Sequence, residues 1–327
     1  MKNTSYLYRQ FEKTMLPVIT ILFMATGILA AFWTNRSLKD NVRSRSCAEL
    51  EYTAREQSRL INKEIERQFE PLRVLAAYLE DGDFESTENR NMTEAMIRVN
   101  RWCTIAMTDA DGNAVNYKGE QMGNVSDRGY FSDIIAGADC VVQYLSTTRG
   151  TKEPRFLFSV PVYNKNNEFE GVLFASKQVS VLEPILLSNA PTDDFISIYL
   201  VTGDGTILSA NENAHQSAKD NNFFDSYRLC ESRDTALEQD IRAAMEKAES
   251  GSFQYQCSNA GYAYYVPTGI NDWYLFVMAD QKKSEEKYAA SLAEIRENVI
   301  RVMVIFCLLM VFTIFLFLYH IKKIRRL

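Results

Sequence analysis

NVSDRGYFSDIIAG at residues 124–137, VVQYLSTT at 141–148 and RFLFSVPVYNKNNEFEGVLFASKQVSVLEPILL at 155–187 form the stretch that decides the fold. The first block combines an arginine and two aromatic residues with the pattern of a short amphipathic helix. The other two blocks have the alternating or continuous apolar character of strands, separated by polar turns. A sheet with an arginine at its mouth predicts a cup that binds a small molecule.

Two windows outside this stretch are more apolar than a soluble domain requires. Residues 15–33 and 302–321 contain no Asp, Glu, Lys or Arg. About 20 helical residues cross a hydrocarbon core of roughly 30 Å, so both windows are predicted to be transmembrane helices. For the first window the alternative is a cleaved signal peptide ending at Leu29-Ala30-Ala31, but its apolar run is longer than usual for a signal peptide.

The flanking charges predict the orientation of these helices. Basic residues gather at their outer ends: Lys2, Arg9, Lys13, Lys322, Lys323, Arg325 and Arg326. The positive-inside rule then places residues 1–14 and 322–327 in the cytoplasm and the rest outside. The formal net charge is −6 although both ends are basic, so the exterior part is acidic. This argues against nucleic acid or anionic lipid as its partner.

Helices are predicted on both sides of the exterior domain. Residues 34–81 form an amphipathic stalk helix with Ile61, Ile65, Leu72, Leu75 and Leu79 on one stripe, and Pro71 predicts a kink or restart within it. A short helix follows at residues 92–100. Residues 281–301 form a signalling helix whose apolar seam, from Tyr288 to Val302, has heptad spacing. Apolar seams on both long helices predict a parallel homodimer.

The exterior domain contains an internal repeat. IAMTDADGNAV at residues 105–115 aligns without gaps on IYLVTGDGTIL at 198–208, each a strand, an Asp-Gly turn and a return strand. The segment at 159–161 (SVP) is echoed at 265–267 (YVP). The repeat predicts an α+β fold of two tandem modules with antiparallel sheets, residues 82–190 and 191–280. Chance similarity between hairpins is the alternative.

The six cysteines do not define a disulfide framework. Cys307 lies in the second apolar window, and the other five cannot all pair within one chain. Cys230 with Cys257 is one possible disulfide, and buried free thiols are the alternative. Cys47 could link two protomers.

Residues suited to catalysis are few. His215, in a polar loop, is the one exterior histidine, and no His/Cys cluster has zinc spacing. Asp109, Asp111 and Asp204 could bind a cation, but their Asp-Gly contexts need only turn chemistry. Phosphate-loop and nucleophile-elbow motifs are missing from the sequence. We therefore predict no catalytic residues, no metal and no cofactor.

Arg128 is the candidate ligand-binding residue that the chemistry favours. Its planar guanidinium suits a carboxylate, and Tyr130 and Phe131 offer apolar faces beside it. The alternative is structural, with Arg128 capping the following helix or pairing with Asp127 or Asp133. Composition alone does not separate the two.

Four motifs in this order resemble the extracytoplasmic Cache sensor family in its double form, which has PAS-like modules: Asp127-Arg128-x-Tyr130-Phe131, Ser159-Val160-Pro161-Val162, Gly171-Val172-Leu173 and Asn271-Asp272-Trp273-Tyr274-Leu275. The resemblance covers residues 34–280. It implies that the membrane-distal module, 82–190, binds the ligand and that the membrane-proximal module is 191–280. The pocket residues it implies are Arg128, Tyr130 and Phe131, with Trp102, Tyr117 and Tyr144 as further candidates.

The sequence departs from the amino-acid-binding members of that family at two positions. They have Trp-Tyr shortly after the arginine, where this chain has Gly129-Tyr130-Phe131. They also use an Asp to hold the ligand ammonium, and that position falls at Ser176, followed by Lys177. Since an ammonium would lack its counter-charge, we predict a small organic anion, such as a carboxylate, as the ligand. Ser176 and Lys177 join the predicted site, although Lys177 could instead point to solvent.

These features together predict the sensor part of a transmembrane receptor. Residues 322–327 are too few for an effector domain, so we expect either a longer protein or a cytoplasmic partner. The resemblance implies a diguanylate cyclase, histidine kinase or chemotaxis signalling domain as output, and the lack of a HAMP-type linker favours the cyclase. A membrane-anchored scaffold or interaction protein and an extracytoplasmic enzyme are the alternatives.

Overall fold

A computed structural model describes residues 2–79, 84–146, 153–181, 195–211, 222–228, 235–256 and 260–324. The chain divides into two compact units: Glu49–Asp280, and the terminal segments Met1–Ala48 with Gln281–Leu327. Several predicted features lie outside the described residues: His215, Cys230, Cys257 and the module boundaries at 81/82 and 190/191.

The first helix, α1 (Lys2–Tyr78), is the longest element of the chain. Its predicted apolar stripe is confirmed, because Ile61, Ile65, Leu72 and Leu75 are all buried within the larger unit. The helix continues through Pro71, so the predicted restart at this residue is wrong.

The smaller unit contains the first part of α1 and the last helix, α6 (Gln281–Ile324). Within the described part of the chain, none of the helices combines the length and the hydropathy that crossing a bilayer requires. The two transmembrane helices therefore stay a prediction. The cysteines at positions 47, 103, 140 and 307 are free thiols.

The described residues between 87 and 178, which keep the predicted name distal module, contain a six-stranded antiparallel sheet. After α2 (Thr87–Asn100), its elements are β1 (Thr104–Thr108), β2 (Asn113–Asn116), β3 (Gln121–Asn124), α3 (Gly129–Ile135), β4 (Val141–Leu145), β5 (Arg155–Tyr163) and β6 (Phe169–Gln178). The strand order is β3-β2-β1-β6-β5-β4. β4 is therefore an edge strand.

The described residues between 196 and 280, which keep the predicted name proximal module, contain a five-stranded antiparallel sheet. Its elements are β7 (Ile196–Val201), β8 (Ile207–Ala210), α4 (Phe223–Arg228), α5 (Thr235–Glu246), β9 (Gly251–Gln256), β10 (Ala260–Pro267) and β11 (Tyr274–Asp280). The order β8-β7-β11-β10-β9 repeats the order β2-β1-β6-β5-β4 of the distal sheet. The predicted α+β class with two antiparallel sheets is confirmed.

The helix α2 begins at Thr87, earlier than the predicted residue 92. Ser86 is its N-cap, and the Ser86 side chain accepts a hydrogen bond from the backbone N–H of Asn89. A serine at this position satisfies one of the first free N–H groups of a helix. The prediction missed this turn because it relied on apolar periodicity, and residues 87–91 (TENRN) are all polar.

The distal sheet lies between two helices. On one face, Phe158 of β5 makes an edge contact with Phe69 of α1, with ring centroids 5.3 Å apart. On the other face, Leu157 and Phe174 pack in one cluster with Tyr130 of α3. Alternate residues of each strand therefore face α1 and α3.

The helix α1 also contacts the proximal module. Arg55 donates to the hydroxyl of Tyr264 at 3.0 Å, and Asn62 donates to the backbone carbonyl of Thr268. The two modules touch each other as well, because Asn271 donates to the carbonyl of Val142 at 2.8 Å. The helix α1 therefore contacts both modules.

Candidate functional site

The face of the distal sheet under α3 carries two rows of partly polar side chains. The first row runs across four strands: Thr104, Ser176, Leu157 and Gln143. The next row, towards the end of the sheet, contains Gln178, Arg155 and Leu145. Leu157 and Leu145 pack with the apolar cluster of α3, so both rows lie on the α3 face.

Arg155 brings a positive charge to these rows. Its Nη1 donates to Oγ of Ser176 at 3.4 Å. Its Nε is buried and has no hydrogen-bond partner among the residues that the structure describes. A partly buried guanidinium with an unused donor favours an anion, since burying that donor without a partner costs about 1 to 3 kcal/mol.

Gln143 adds an unused acceptor. Its Oε1 is buried and, within the described residues, accepts no hydrogen bond. A methyl group added at Gly129 would lie 3.6 Å from Nε2 of Gln143, which places the first residue of α3 over this side chain. Gln143 and Arg155 are diagonal neighbours on adjacent strands, about 7 to 8 Å apart at the backbone.

Arg128 stands immediately before α3, in extended backbone conformation. Its side chain makes no capping hydrogen bond to α3, so the capping alternative is wrong. The other alternative, a pair with Asp127, is present: the guanidinium lies 3.6 Å from a carboxylate oxygen of Asp127, and 41% of the Arg128 side chain is exposed. An exposed pair of this kind contributes little to stability, so Arg128 is available for other interactions.

Tyr130 and Phe131 are core residues of α3. Both are buried, and the ring of Tyr130 packs at a tilt against Phe174 with centroids 5.5 Å apart. They hold α3 on the sheet. Phe131 belongs to the same cluster as Ala106 and Leu157, which places it above the polar rows.

The other three predicted aromatic residues lie in different places. Trp102 is buried just before β1, and its Nε1 has no hydrogen-bond partner among the described residues. Tyr117 follows β2 and has the ammonium of Lys118 5.6 Å from its ring. Tyr144 lies on the α1 face of β4, against Phe156, and burial raises the pKa of its hydroxyl.

Ser176 and Lys177 point to opposite faces of β6. Ser176 is bonded to Arg155 on the α3 face, whereas Lys177 donates to Oε1 of Gln68 on α1. The Lys177 side chain does not point to solvent, because the residue is only 4% exposed. Burial lowers its pKa to about 8, with partial compensation from Glu64.

Sequence reasoning missed Arg155 and Gln143. Both lie between residues 124 and 187, but the predicted site is centred on the aromatic motif at Asp127-Arg128-x-Tyr130-Phe131 instead. A usable signal was present: Arg155 and Leu157 precede Ser159 at intervals of two, so all three share one face of a strand.

The carboxylates of Asp109 and Asp204 accept hydrogen bonds from neighbouring residues of their own turns. The two carboxylate oxygens of Asp109 accept from the backbone N–H groups of Asp111 and Asn113 and from the Asn113 side chain. Asp204 accepts from Thr206 and Thr202 in the same manner. This is the turn chemistry that the sequence indicated for both.

An open cleft of about 510 Å³ adjoins the polar rows, on the outer side of edge strand β4. Its lining includes the predicted site residues Tyr130 and Tyr144 together with Gln143 and Trp273. Its charged lining residues are all acidic: Asp133, Asp204 and Asp272. Arg128 and Arg155 are not lining residues. The cleft provides space of small-molecule size next to Gln143.

Comparisons with known proteins agree on one architecture. The family profile described as a Cache domain (dCache_1) matches residues 35–288. This range includes all four motifs on which the resemblance in the sequence rests. Among curated protein sequences, none matches significantly.

Solved structures with the same fold include ligand-binding and extracellular domains. The ligand-binding domain of Mlp24 with asparagine is 15% identical, with a TM-score of 0.54 over 76% of this chain and 97% of its own. The Campylobacter jejuni chemoreceptor Tlp3 with L-valine is 10% identical, with a TM-score of 0.53 over 76% and 97%. The extracellular domain of the putative histidine kinase rpHK1S-Z16 is 16% identical, with a TM-score of 0.52 over 72% and 96%. At these identities the likeness concerns the fold.

Proposed function

Because the chain belongs to the Cache domain family, we propose that it is the extracytoplasmic small-molecule sensor of a membrane receptor. The first long helix, α1, contacts both modules and begins near the amino terminus. The second long helix, α6, begins directly after β11, the last strand of the proximal sheet. The solved structures it resembles include the ligand-binding domains of Mlp24 and of the chemoreceptor Tlp3, and the extracellular domain of the histidine kinase rpHK1S-Z16.

The membrane part of this proposal is supported by the apolar windows at residues 15–33 and 302–321. Large apolar side chains are exposed along both helices: Leu29, Phe32, Trp33, Val304, Ile305, Leu308, Val311, Phe312 and Phe315. Extended apolar surface of this kind is stable in lipid and unfavourable in water. The positive flanks place both termini in the cytoplasm.

Thiol labelling of intact cells tests this topology. In a chain whose native cysteines are replaced by serine, we expect Lys118→Cys in the distal module to react with a membrane-impermeant maleimide. Lys322→Cys should react only after the cells are lysed. Both lysines have exposed side chains, so accessibility to the reagent depends on the side of the membrane. Protection of Lys118→Cys in intact cells would contradict the proposal.

A parallel homodimer and a cytoplasmic diguanylate cyclase domain complete the proposed receptor. The heptad spacing at Tyr288, Leu292, Ile295, Val299 and Val302 supports the dimer. The output rests on the resemblance alone. Light scattering of the full chain in detergent measures its mass and so tests the dimer. Sequencing the gene beyond the codon for Leu327 tests whether a diguanylate cyclase domain is encoded there.

The ligand we propose is a small organic anion. The observation that carries this proposal is the contact between Arg155 and Ser176. At the position where amino-acid-binding relatives place an acid for the ligand ammonium, this chain has a serine hydroxyl bonded to a guanidinium. Arg155 forms no ion pair with any described residue, and the carboxylate of Glu153 accepts from Gln178, the strand partner of Arg155. A ligand ammonium that contacts the guanidinium would be repelled by it. A carboxylate would complete the charge balance.

Titration calorimetry of the full chain in detergent tests this proposal. We expect at least one of lactate, succinate, malate and citrate to bind, and Arg155→Gln to weaken that binding about 10- to 100-fold, since a hydrogen bond to a charged group contributes about 1.5 to 3 kcal/mol. Arg59→Gln is the matched control, because Arg59 pairs with Glu56 on the exposed side of α1. Binding of asparagine or valine in place of every carboxylate would contradict the anion and favour an amino-acid sensor.

Strand β6 provides a short route from this site to the stalk. Ser176 and Lys177 are consecutive, and they contact Arg155 on one side and Gln68 of α1 on the other. A ligand that binds one position of β6 more tightly would therefore bias α1 as well, typically with 1 to 3 kcal/mol of coupling.

A further inference from the structure

We infer that the free edge of strand β4 is a docking site for an extended, basic segment of a partner protein, which adds to the distal sheet as a further strand. The main chain of the partner pairs with β4, and its lysine or arginine side chains meet acidic residues beside the strand. This inference goes beyond the proposed function and does not depend on the anion site at Arg155.

The direction of the backbone groups of β4 is the first observation. In the described part of the chain, β4 is the last strand of its sheet and pairs with β5 alone. The carbonyl of Val142 points away from β5, because it accepts from the side chain of Asn271 at 2.8 Å. The carbonyl of Val141 points towards β5, where it accepts from Oγ of Ser159 at 3.0 Å. Since this direction alternates along a strand, Tyr144 faces outward as Val142 does.

Three outward groups are open to a partner strand. Among the described residues, no hydrogen bond reaches the N–H of Val142 or the N–H and carbonyl of Tyr144. A residue opposite Tyr144 in an antiparallel partner strand would exchange two hydrogen bonds with it. The bond from Asn271 can remain, because it uses only the carbonyl of Val142. An unpaired strand edge of this kind is a template for a further strand.

Two open clefts along this edge provide room for the partner. One has a volume of about 510 Å³ and the other of about 690 Å³. They share Asp133, Val141, Val142 and Asn271, so they are adjacent parts of one groove. Together their linings include every residue from Cys140 to Tyr144. The groove therefore follows β4, with α3 on one side and the turn between β10 and β11 on the other.

The charges of this groove select a basic partner. Its charged lining residues are all acidic: Glu66, Asp133, Asp204 and Asp272. Asp133 and Asp272 form no ion pair with any described residue, and Asp133 is exposed. Arg73 and Arg242 stand near the groove, but each already pairs with a glutamate, Glu66 at 2.6 Å and Glu238 at 3.0 Å respectively.

The same charges disfavour a second copy of this chain as the occupant. Two copies paired through β4 would bring their groove carboxylates together, and like charges close to one another are repulsive. A segment with lysine or arginine is attracted to these carboxylates instead.

Fluorescence anisotropy with labelled peptides and the full chain in detergent tests the inference. The probe is acetyl-KVKVK-amide, whose length matches β4. We expect it to bind with a Kd below about 1 mM. Its matched controls are acetyl-EVEVE-amide and a KVKVK peptide methylated at every backbone nitrogen. We expect both to bind at least about 10-fold more weakly, because the first reverses the charge and the second cannot donate main-chain hydrogen bonds.

A pair of isosteric variants tests the charge from the side of the receptor. Asp133→Asn should weaken binding of the KVKVK peptide about 3-fold, in the range of an exposed ion pair. Asp139→Asn is the matched control and should bind as the wild type does, because Asp139 is also exposed but lines neither cleft. Equal binding by the two variants would contradict the inference.

Other occupants of the groove would give different results. No binding of the KVKVK peptide at about 1 mM, or equal binding of its methylated form, overturns strand pairing. Free lysine that binds as tightly as the peptide would assign the groove to a small organic amine. A dimer that the peptide dissociates would assign the edge to a second copy. Each of these results overturns the inference, whereas the proposed anion site is tested separately by Arg155→Gln.

Discussion

Replacing Gly171 with alanine is expected to lower the free energy of unfolding by more than about 3 kcal/mol, or to prevent folding of the distal module. A Cβ atom at this position would lie 1.9 Å from the carbonyl oxygen of Thr108 and 2.8 Å from its carbonyl carbon. Both are backbone atoms of the adjacent strand β1. They cannot move aside as a flexible side chain would, so the two strands would have to separate.

Separation of the strands would break further contacts. The next residue, Val172, donates its N–H to Oγ1 of Thr108 at 2.9 Å, and both groups are buried. Val172 also belongs to the apolar cluster under α3. The clash would therefore expose a buried hydrogen bond and part of the core that supports the site.

Thermal and urea unfolding of the full chain in detergent measure this effect. Gly129→Ala is the matched control, because a methyl group there makes only an ordinary 3.6 Å contact with Gln143. We expect that control to change stability by less than about 0.5 kcal/mol. A Gly171→Ala chain that unfolds at the wild-type midpoint would show that the close approach of β1 and β6 is not essential.

Stability is also expected to rise between about pH 8 and pH 10.5 because of Lys177. Burial lowers the pKa of this lysine from 10.5 to about 8 in the folded chain, and the positive charges of Arg67 and Arg101 act in the same direction. Glu64 and Cys103 oppose them. The ammonium donates to Gln68 but has few other partners in a residue that is 4% exposed.

The direction of this effect follows from proton binding. Below pH 8 the lysine is charged in both states, and the folded state bears the full cost of burying the charge. Between pH 8 and 10.5 the folded state loses its proton while the unfolded state keeps it, so stability rises with pH. The difference between the two pKa values corresponds to a gain of about 3 kcal/mol. Above pH 10.5 both states are neutral and no further gain occurs.

Comparison with Lys177→Met isolates this contribution. Urea unfolding of both chains from pH 7 to 11 should show that the variant lacks about 3 kcal/mol of the rise. Loss of the hydrogen bond to Gln68 affects the variant equally at all pH values, so it does not alter the slope. Lys118→Met, at an exposed turn, should follow the wild-type curve. Parallel curves for the wild type and Lys177→Met would mean that the lysine is solvated in the folded chain.

Local patterns predicted the elements of the fold well. The Asp-Gly turns at Asp111-Gly112 and Asp204-Gly205 produce the β1–β2 and β7–β8 hairpins, because glycine at positive φ closes a tight turn without strain. The stripe from Ile61 to Leu79 is buried because helical periodicity alone places these residues on one face. The polar first turn of α2 was missed because the prediction relied on apolar periodicity instead of the Ser86 cap.

The candidate site was predicted only in part. The sequence pointed to the stretch that also contains Arg155 and Gln143, and to Ser176, but it emphasised Arg128, which is 41% exposed beside Asp127. It also grouped Lys177 with the pocket residues, whereas Lys177 faces α1 and bonds Gln68. Tyr144 packs against Phe156 and lines the cleft beside Gln143. The direction of a strand side chain depends on register, and one residue of shift reverses it.

From the sequence by itself came the α+β class and the repeated modules, because these depend on local periodicity and turn chemistry. The family and the expectation of an anion came from the resemblance of four motifs to the Cache family. Only the tertiary structure decided that Arg155 and Gln143 lie beside Ser176, and that Lys177 lies against the stalk. The physical reason is strand pairing: residues on β4, β5 and β6 become neighbours through register. Local sequence patterns do not encode that register, because the contacts that select it join residues distant in the chain.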